Sequence, residues 1–334
     1  METFYYVFSH QQLHVERFHI CAWEFSNKTS LVEFGCEILI SELLEIDELK
    51  ITFYIPWLKK VGKEPQDLYG SLKSPANSKF IFNEAVKNTE YLDGGRTNNG
   101  VIHSFEKRSL AILPLKFKKS EGEILTVQPD ISGLNNHRDK ENLSIYFRFY
   151  LEPSLSDITL RKTGIAKSNI IYDIKINEAR NLPDFLLGSK LCGIKNCFSF
   201  NIIPNRHDII FFDSQALQNI RVLEFLSFKQ YLPDKPVKED DLLVIFNKKS
   251  GDKLNFFMVF SKELIGPAQY LFAIILNLIC SIILANPSYS ISFGKYSWEF
   301  SSILLSAIIV LAAIFVFLLP YLRAKLFKPK TRVR

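Results

Sequence analysis

The sequence predicts a β-rich (α+β) cytosolic domain followed by a two-helix transmembrane hairpin, and three observations predict it. Rings are abundant, with 29 Phe and 13 Tyr in 334 residues, a load that half-buried strands take up more readily than helical bundles. Short apolar runs with alternating or β-branched patterning recur through residues 1–263. Beyond them lie two windows without a charged residue, Leu264–Ala285 and Phe300–Leu322.

In chain order, the first strands are expected at Phe4–Phe8, His14–Phe25, Val32–Ile40 and Leu49–Trp57. Pro56 ends the fourth, because proline cannot donate to a ladder. Further strands follow at Phe80–Phe82, Leu110–Phe117, Ile124–Val127, Leu143–Leu151, Asn169–Ile176, Phe198–Ile203 and Ile209–Phe212. One helix is expected over Ala216–Leu232, with Asp213 or Ser214 as N-cap and Pro233 as its stop. Leu242–Phe246 and Leu254–Phe260 read as a hairpin around the turn-forming segment NKKSGDK. Tyr91–Gly100 and Asp130–Asn142 are polar loops, and the second is a candidate break between two β-rich subdomains. Tyr231–Asp241 reads as a linker.

At 1.5 Å per residue each charge-free window runs to roughly 30 Å, the thickness of a bilayer's hydrocarbon core. The expected division is therefore 1–263, a sensor or regulatory domain, 264–322, the membrane hairpin (264–285 and 300–322), and 323–334, a basic tail. Asn286–Glu299 would only turn the chain around, with Tyr289, Tyr296 and Trp298 at one interface. The tail carries six basic residues and no acid, so the tail and the large N-terminal domain are expected on the cytoplasmic side. Arg323, Lys325, Lys328 and Lys330 would then meet anionic lipid head groups. Gln269, Ala273, Asn277 and Ser281 recur four apart, and Ser302 and Ser306 follow suit in the second window. Such a stripe serves either as glue between helices or as the lining of an aqueous pore. Two helices cannot enclose a pathway, so a pore requires a homo-oligomer.

Charge and cysteine narrow the function classes. The net charge of +6 arises entirely from Leu264 onward, which leaves residues 1–263 balanced. A globally basic nucleic-acid binder is therefore disfavoured. Five cysteines at irregular spacing argue for a reducing compartment, and the opening METFYYVFSH lacks a secretory pattern.

Motifs for chemistry are scarce. His10, His14, His19 and Cys21 cluster, but no second pair at zinc spacing follows. Cys192 and Cys197 lack histidines in register. No metal or cofactor is expected. G-x-S-x-G, Walker A and G-x-G-x-x-G patterns are missing, so an enzyme is not expected. Basic candidates for an anion or oligonucleotide are Arg96, in the loop Asp93-Gly94-Gly95-Arg96, and Lys116, Lys118 and Lys119 on a predicted strand. Lysines guarding a solvated strand edge are the commoner outcome of that pattern. Lys107 with Arg108, and Arg161 with Lys162 and Lys167, form further basic clusters.

A motif-poor β-rich domain, a charge-free helical hairpin and a basic tail, in that order, resemble membrane effectors of bacterial anti-phage defence systems, the Hailong channel effectors among them. The resemblance implies an oligomeric channel or pore in the bacterial inner membrane, gated by its cytosolic domain, that stops growth by depolarisation. It also implies a nucleotide or short DNA oligomer, made by a partner nucleotidyltransferase, as ligand. The alternative is a membrane-anchored ligand-binding or scaffold protein with a non-conducting anchor.

Overall fold

The computed structural model describes residues 4–92, 99–119, 122–137, 142–164, 167–236, 241–251, 254–264, 266–285, 288–293 and 296–326. The chain divides into two compact units, Met1–Lys262 and Glu263–Arg334.

The first unit opens with β1 (Phe4–Ser9), β2 (His14–Glu24), β3 (Ser30–Leu39), β4 (Ile51–Tyr54), β5 (Gln66–Asp67), β6 (Asn88–Tyr91) and β7 (Val101–Ser104). It continues through β8 (Ser109–Ile112), β9 (Leu115–Lys119), β10 (Ile124–Pro129), β11 (Leu143–Leu151), β12 (Leu160–Thr163), β13 (Lys167–Ile176) and β14 (Lys190–Leu191). β15 (Gly193–Pro204), β16 (Asp208–Phe212), β17 (Leu217–Val222), β18 (Leu242–Ser250) and β19 (Leu254–Glu263) complete its strands. Short helices α1 (Tyr69–Leu72), α2 (Pro75–Phe82), α3 (Leu155–Ile158) and α4 (Phe225–Tyr231) are interspersed.

These strands build two sheets. A nine-stranded sheet has the order β16-β19-β13-β1-β4-β10-β9, with β12 added beside β13 and β14 beside β1, and a ten-stranded sheet has the order β17-β18-β15-β2-β3-β11-β8-β7-β6, with β5 added beside β11. The main core lies between them. Phe34 and Phe149 of the larger sheet meet Phe53 of the smaller one at centroid distances of 5.8 and 5.1 Å. Each such fully buried ring contributes roughly 1.5–3 kcal/mol.

A second apolar cluster covers the outer face of the ten-stranded sheet. There Trp23, Tyr146 and Val244 pack beneath Phe82 of α2 and Phe228 and Tyr231 of α4. Trp23 meets Phe228 at 4.4 Å, and Phe82 meets Tyr146 at 4.8 Å. Central strands of this sheet are thus covered on both faces.

Several expected elements are corrected. The helix expected over Ala216–Leu232 is strand β17 followed by the short α4. Ile220 and Val222 are β-branched, and their strand pairs with β18 through Ile220↔Ile245 and Val222↔Leu243, so tertiary pairing overrides the helical spacing. Phe80–Phe82, expected as a strand, closes α2; Pro75 opens that helix, and Asn83, at φ 53°, ends it in the left-handed region. Leu110–Phe117 splits at Pro114 into β8 and β9, which belong to different sheets. β18 and β19 do not form the expected hairpin. The chain passes through Gly251, at φ 86°, and crosses from one sheet to the other. The candidate break at Asp130–Asn142 is the crossing from β10 to β11, inside the first unit.

The second unit contains α5 (Pro267–Leu284), β20 (Ser288–Phe293), β21 (Tyr296–Ser301) and α6 (Ser302–Leu326). The transmembrane hairpin expected here is not found. Among the described residues, no helix is long and apolar enough to cross a membrane. Asn286–Glu299, expected as a plain turn, supplies most of the antiparallel pair β20–β21. The membrane and ion-channel readings and the inner-membrane location rested on those spans and are withdrawn with them.

Candidate ligand-binding pocket

The pocket is built on the outer face of the ten-stranded sheet, beside the second apolar cluster. Side chains alternate along a strand, and in β15 the alternation is inverted relative to polarity. Ser199 and Asn201 are buried on the core side, while Phe198 and Phe200 point to the outer face. Phe200 pairs across the sheet with Phe246 of β18. Their rings stack at 4.7 Å, and Phe198 stacks on Phe246 at 5.9 Å. The result is an aromatic floor three rings wide.

Basic groups flank it. The Arg17 guanidinium sits 6.0 Å from the Phe198 centroid, and Lys248 Nζ is 5.5 Å from the same ring. Arg221, with Gln218 and Asn219, enters from β17, and Phe80–Asn83 of the α2 end close the opposite side. The pocket measures about 350 Å³, within the range of small-molecule sites. Arg221 reaches Glu224 at 3.2 Å, an exposed pair of little strength that a ligand can displace. Arg17 lies 3.6 Å from Glu37, which is itself held by two bonds from Arg108, at 2.8 and 2.7 Å.

Behind the pocket runs a buried polar chain. His19 pairs with Gly35 on β3 and turns its Nδ1 to Tyr146 Oη at 2.8 Å. Burial, and then the charges of Arg148, Arg17 and Arg108, hold the His19 pKa well below its usual value, so the ring is neutral. Gly35 is required here, because a Cβ would overlap the Tyr146 hydroxyl. Arg148, 4% exposed, forms an ion pair with Glu33, which is fully buried; its Nε donates at 2.6 Å. Arg148 also donates to Cys21 Sγ at 2.8 Å, and Tyr231 Oη donates to Glu33 at 3.1 Å. The Cys21 thiol is pushed up to about 12, by burial above all and against the pull of Arg148. It therefore stays protonated. Through Tyr231 this network fastens α4 to the sheet that carries the pocket.

The structure places the expected site residues elsewhere. Lys116 and Lys118 are exposed on β9, at the far edge of the nine-stranded sheet. Lys119 ends that strand, and its side chain is outside the described residues, as are Arg96, Lys328 and Lys330 altogether. Arg108 is locked between Glu37 and Glu84. In the second unit, Ser302 and Ser306 are buried, with Cys280 and Ala313, where α5 and α6 meet, whereas Asn277 and Ser281 are exposed. Ser281 Oγ donates back to the Asn277 carbonyl at 2.9 Å. The side chains of Gln269, Arg323 and Lys325 lie outside the described residues. Of the histidines and cysteines, His14 faces Glu42 at 3.3 Å, and His19 and Cys21 belong to the buried chain. Sequence reasoning missed Arg17, Phe198, Phe200, Arg221 and Phe246. The signal was present in N-C-F-S-F-N, where phenylalanines alternate with polar residues but which parity faces the core is not stated.

A wider depression of about 490 Å³ lies along β16 and β19, lined by Phe211, Asp213, Lys249 and Phe257 among others. Its lysine is already paired with Asp213 at 2.7 Å, so it presents less to a charged ligand. Compared with known proteins, the chain matches no family model and no curated sequence.

Proposed function

We propose that the first unit is a recognition module whose pocket takes a nucleotide, free or at the end of a short DNA oligomer. The observation that carries this reading is the stacked floor of Phe198, Phe200 and Phe246 between Arg17 and Arg221. A planar base has a π-face that stacks on such rings, for roughly 1–3 kcal/mol per base. Guanidinium groups bind phosphate through planar, paired donors. The side-chain amides of Gln218, Asn219 and Asn83 at the rim offer both donors and acceptors to a base edge.

The test is calorimetric titration of the full chain with nucleosides, mononucleotides and short DNA oligomers. Nucleotides are expected to bind in about the micromolar range, and Phe246→Ala to weaken all base-bearing ligands by roughly ten- to hundredfold. Arg221→Ala should weaken nucleotides and leave nucleosides unchanged. Failure of every base-bearing ligand to bind, or indifference of binding to Phe246→Ala, refutes the proposal.

A further inference from the structure

A second group of charged side chains gathers at one end of the sandwich, away from the pocket. Glu24 closes β2 there. Arg161 Nη2 of β12 lies 3.2 Å from Glu24 Oε1, and His207 Nε2 lies 4.0 Å from the same oxygen. His207 sits in the turn between β15 and β16. The register Asp208↔Ser261 sets that turn beside the end of β19, where Lys262 stands. Arg206, next in the turn, reaches across to the Ser26 carbonyl at 3.2 Å. Lys28, at φ 70° in the β2–β3 turn, completes the ring.

Two features of this ring are unusual. His207 is 3% exposed, yet neither ring nitrogen has a hydrogen-bond partner among the described residues. Buried polar atoms ordinarily find partners. The charge is also unbalanced. Lys28, Arg161, Arg206 and Lys262 face Glu24, with Asp241 at the margin, where it accepts a hydrogen bond from Ser26. The Lys262 ammonium is held below its usual pKa by burial first, then by Arg206 and Lys28, with Glu24 opposing. Crowded cations over an imidazole without a hydrogen bond are relieved by an anion with several acceptor oxygens.

We propose that Arg161, Arg206, His207 and Lys262 form a binding site for a phosphate group. The guanidinium groups and the ammonium hold the oxygens from the rim, and His207 donates one ring N–H from beneath. Lys28 adds charge without a fixed contact. Glu24 keeps Arg161 oriented, and Lys28, Arg161, Arg206 and Lys262 against this one carboxylate leave the site a positive excess. Phosphate on a small ester and inorganic phosphate share this chemistry.

The experiment uses the full chain at constant ionic strength, titrated separately with inorganic phosphate, methyl phosphate and sodium chloride. Binding is read by calorimetry and by the imidazole resonances of His207 in long-range 1H–15N spectra. Phosphate is expected to bind at about millimolar or better, and Arg206→Ala and Lys262→Ala each to weaken it by about tenfold. Both side chains reach solvent, so these variants keep the fold. The His207 resonances should move with phosphate and not with chloride. A stronger response to methyl phosphate assigns the site to an ester, and the reverse assigns it to the free ion. No binding by about 10 mM phosphate, unchanged affinity in both variants, or unmoved His207 resonances overturns the proposal. Phe246→Ala should leave phosphate binding intact, which separates this site from the aromatic pocket.

Discussion

Replacing Glu33 by leucine removes one half of the ion pair beneath the pocket and leaves Arg148 charged, 4% exposed and without its carboxylate. Cys21 cannot substitute, because its thiol stays protonated. Tyr146 Oη, at 3.4 Å from Arg148, is a long and neutral partner. Breaking a buried pair from one side costs about 3–5 kcal/mol, and the orphaned Tyr231 hydroxyl sits inside the same figure. With a urea m-value of about 3 kcal/mol/M, the unfolding midpoint of the first unit should fall by roughly 1–1.7 M. Trp23 and Trp57, both buried in that unit, supply the fluorescence signal. Glu33→Leu combined with Arg148→Met should recover at least half of the loss, since an apolar pair of similar volume replaces a buried ion pair at little cost. The coupling between the two sites is therefore large. A single-variant loss under about 1 kcal/mol, or a double variant as unstable as the sum of the singles, refutes the view that burial of unpaired charge governs this site.

Three further outcomes follow from the geometry. Gly35→Ala should lower stability by about 1–3 kcal/mol, because its Cβ meets the Tyr146 hydroxyl; adding Tyr146→Phe should restore part of the melting temperature. His207 is held at about 4 in the folded chain, chiefly by burial, against 6.5 for the free group. The unfolded chain takes up that proton first, so about 3 kcal/mol of stability, present above pH 6.5, is lost as pH falls towards 4; His207→Asn should flatten the decline in urea midpoint over that window. Asp67 has the opposite sign, since burial raises it to about 6 despite N–H bonds from Leu115 and Tyr69. Its contribution is full below pH 3.8 and fades as pH rises through 6, so Asp67→Asn should steepen the same decline.

The amino-acid sequence by itself determined that the chain is β-rich and where most strands run. Period-2 alternation and β-branched content mark β2, β11 and β13 regardless of what they pack against. It likewise determined the balanced charge of the first unit, which follows from counting. Only the tertiary structure decided which strands share a sheet. β18 and β19 look like a hairpin, yet β18 pairs with β15 and β17 in one sheet and β19 with β13 and β16 in the other, and Gly251 lets the chain cross between them. Tertiary contacts also decided that Ile220 and Val222 lie in a strand and that Phe80–Phe82 end a helix. The two charge-free windows were legible as composition, but among the described residues no helix is long and apolar enough to cross a membrane. The pocket was hidden for a related reason. A sheet covered on both faces carries apolar residues at both parities, so alternation alone cannot tell that Phe198, Phe200 and Phe246 face outward to Arg17 and Arg221. That is decided by what packs on each face, which is set by residues far away in the chain.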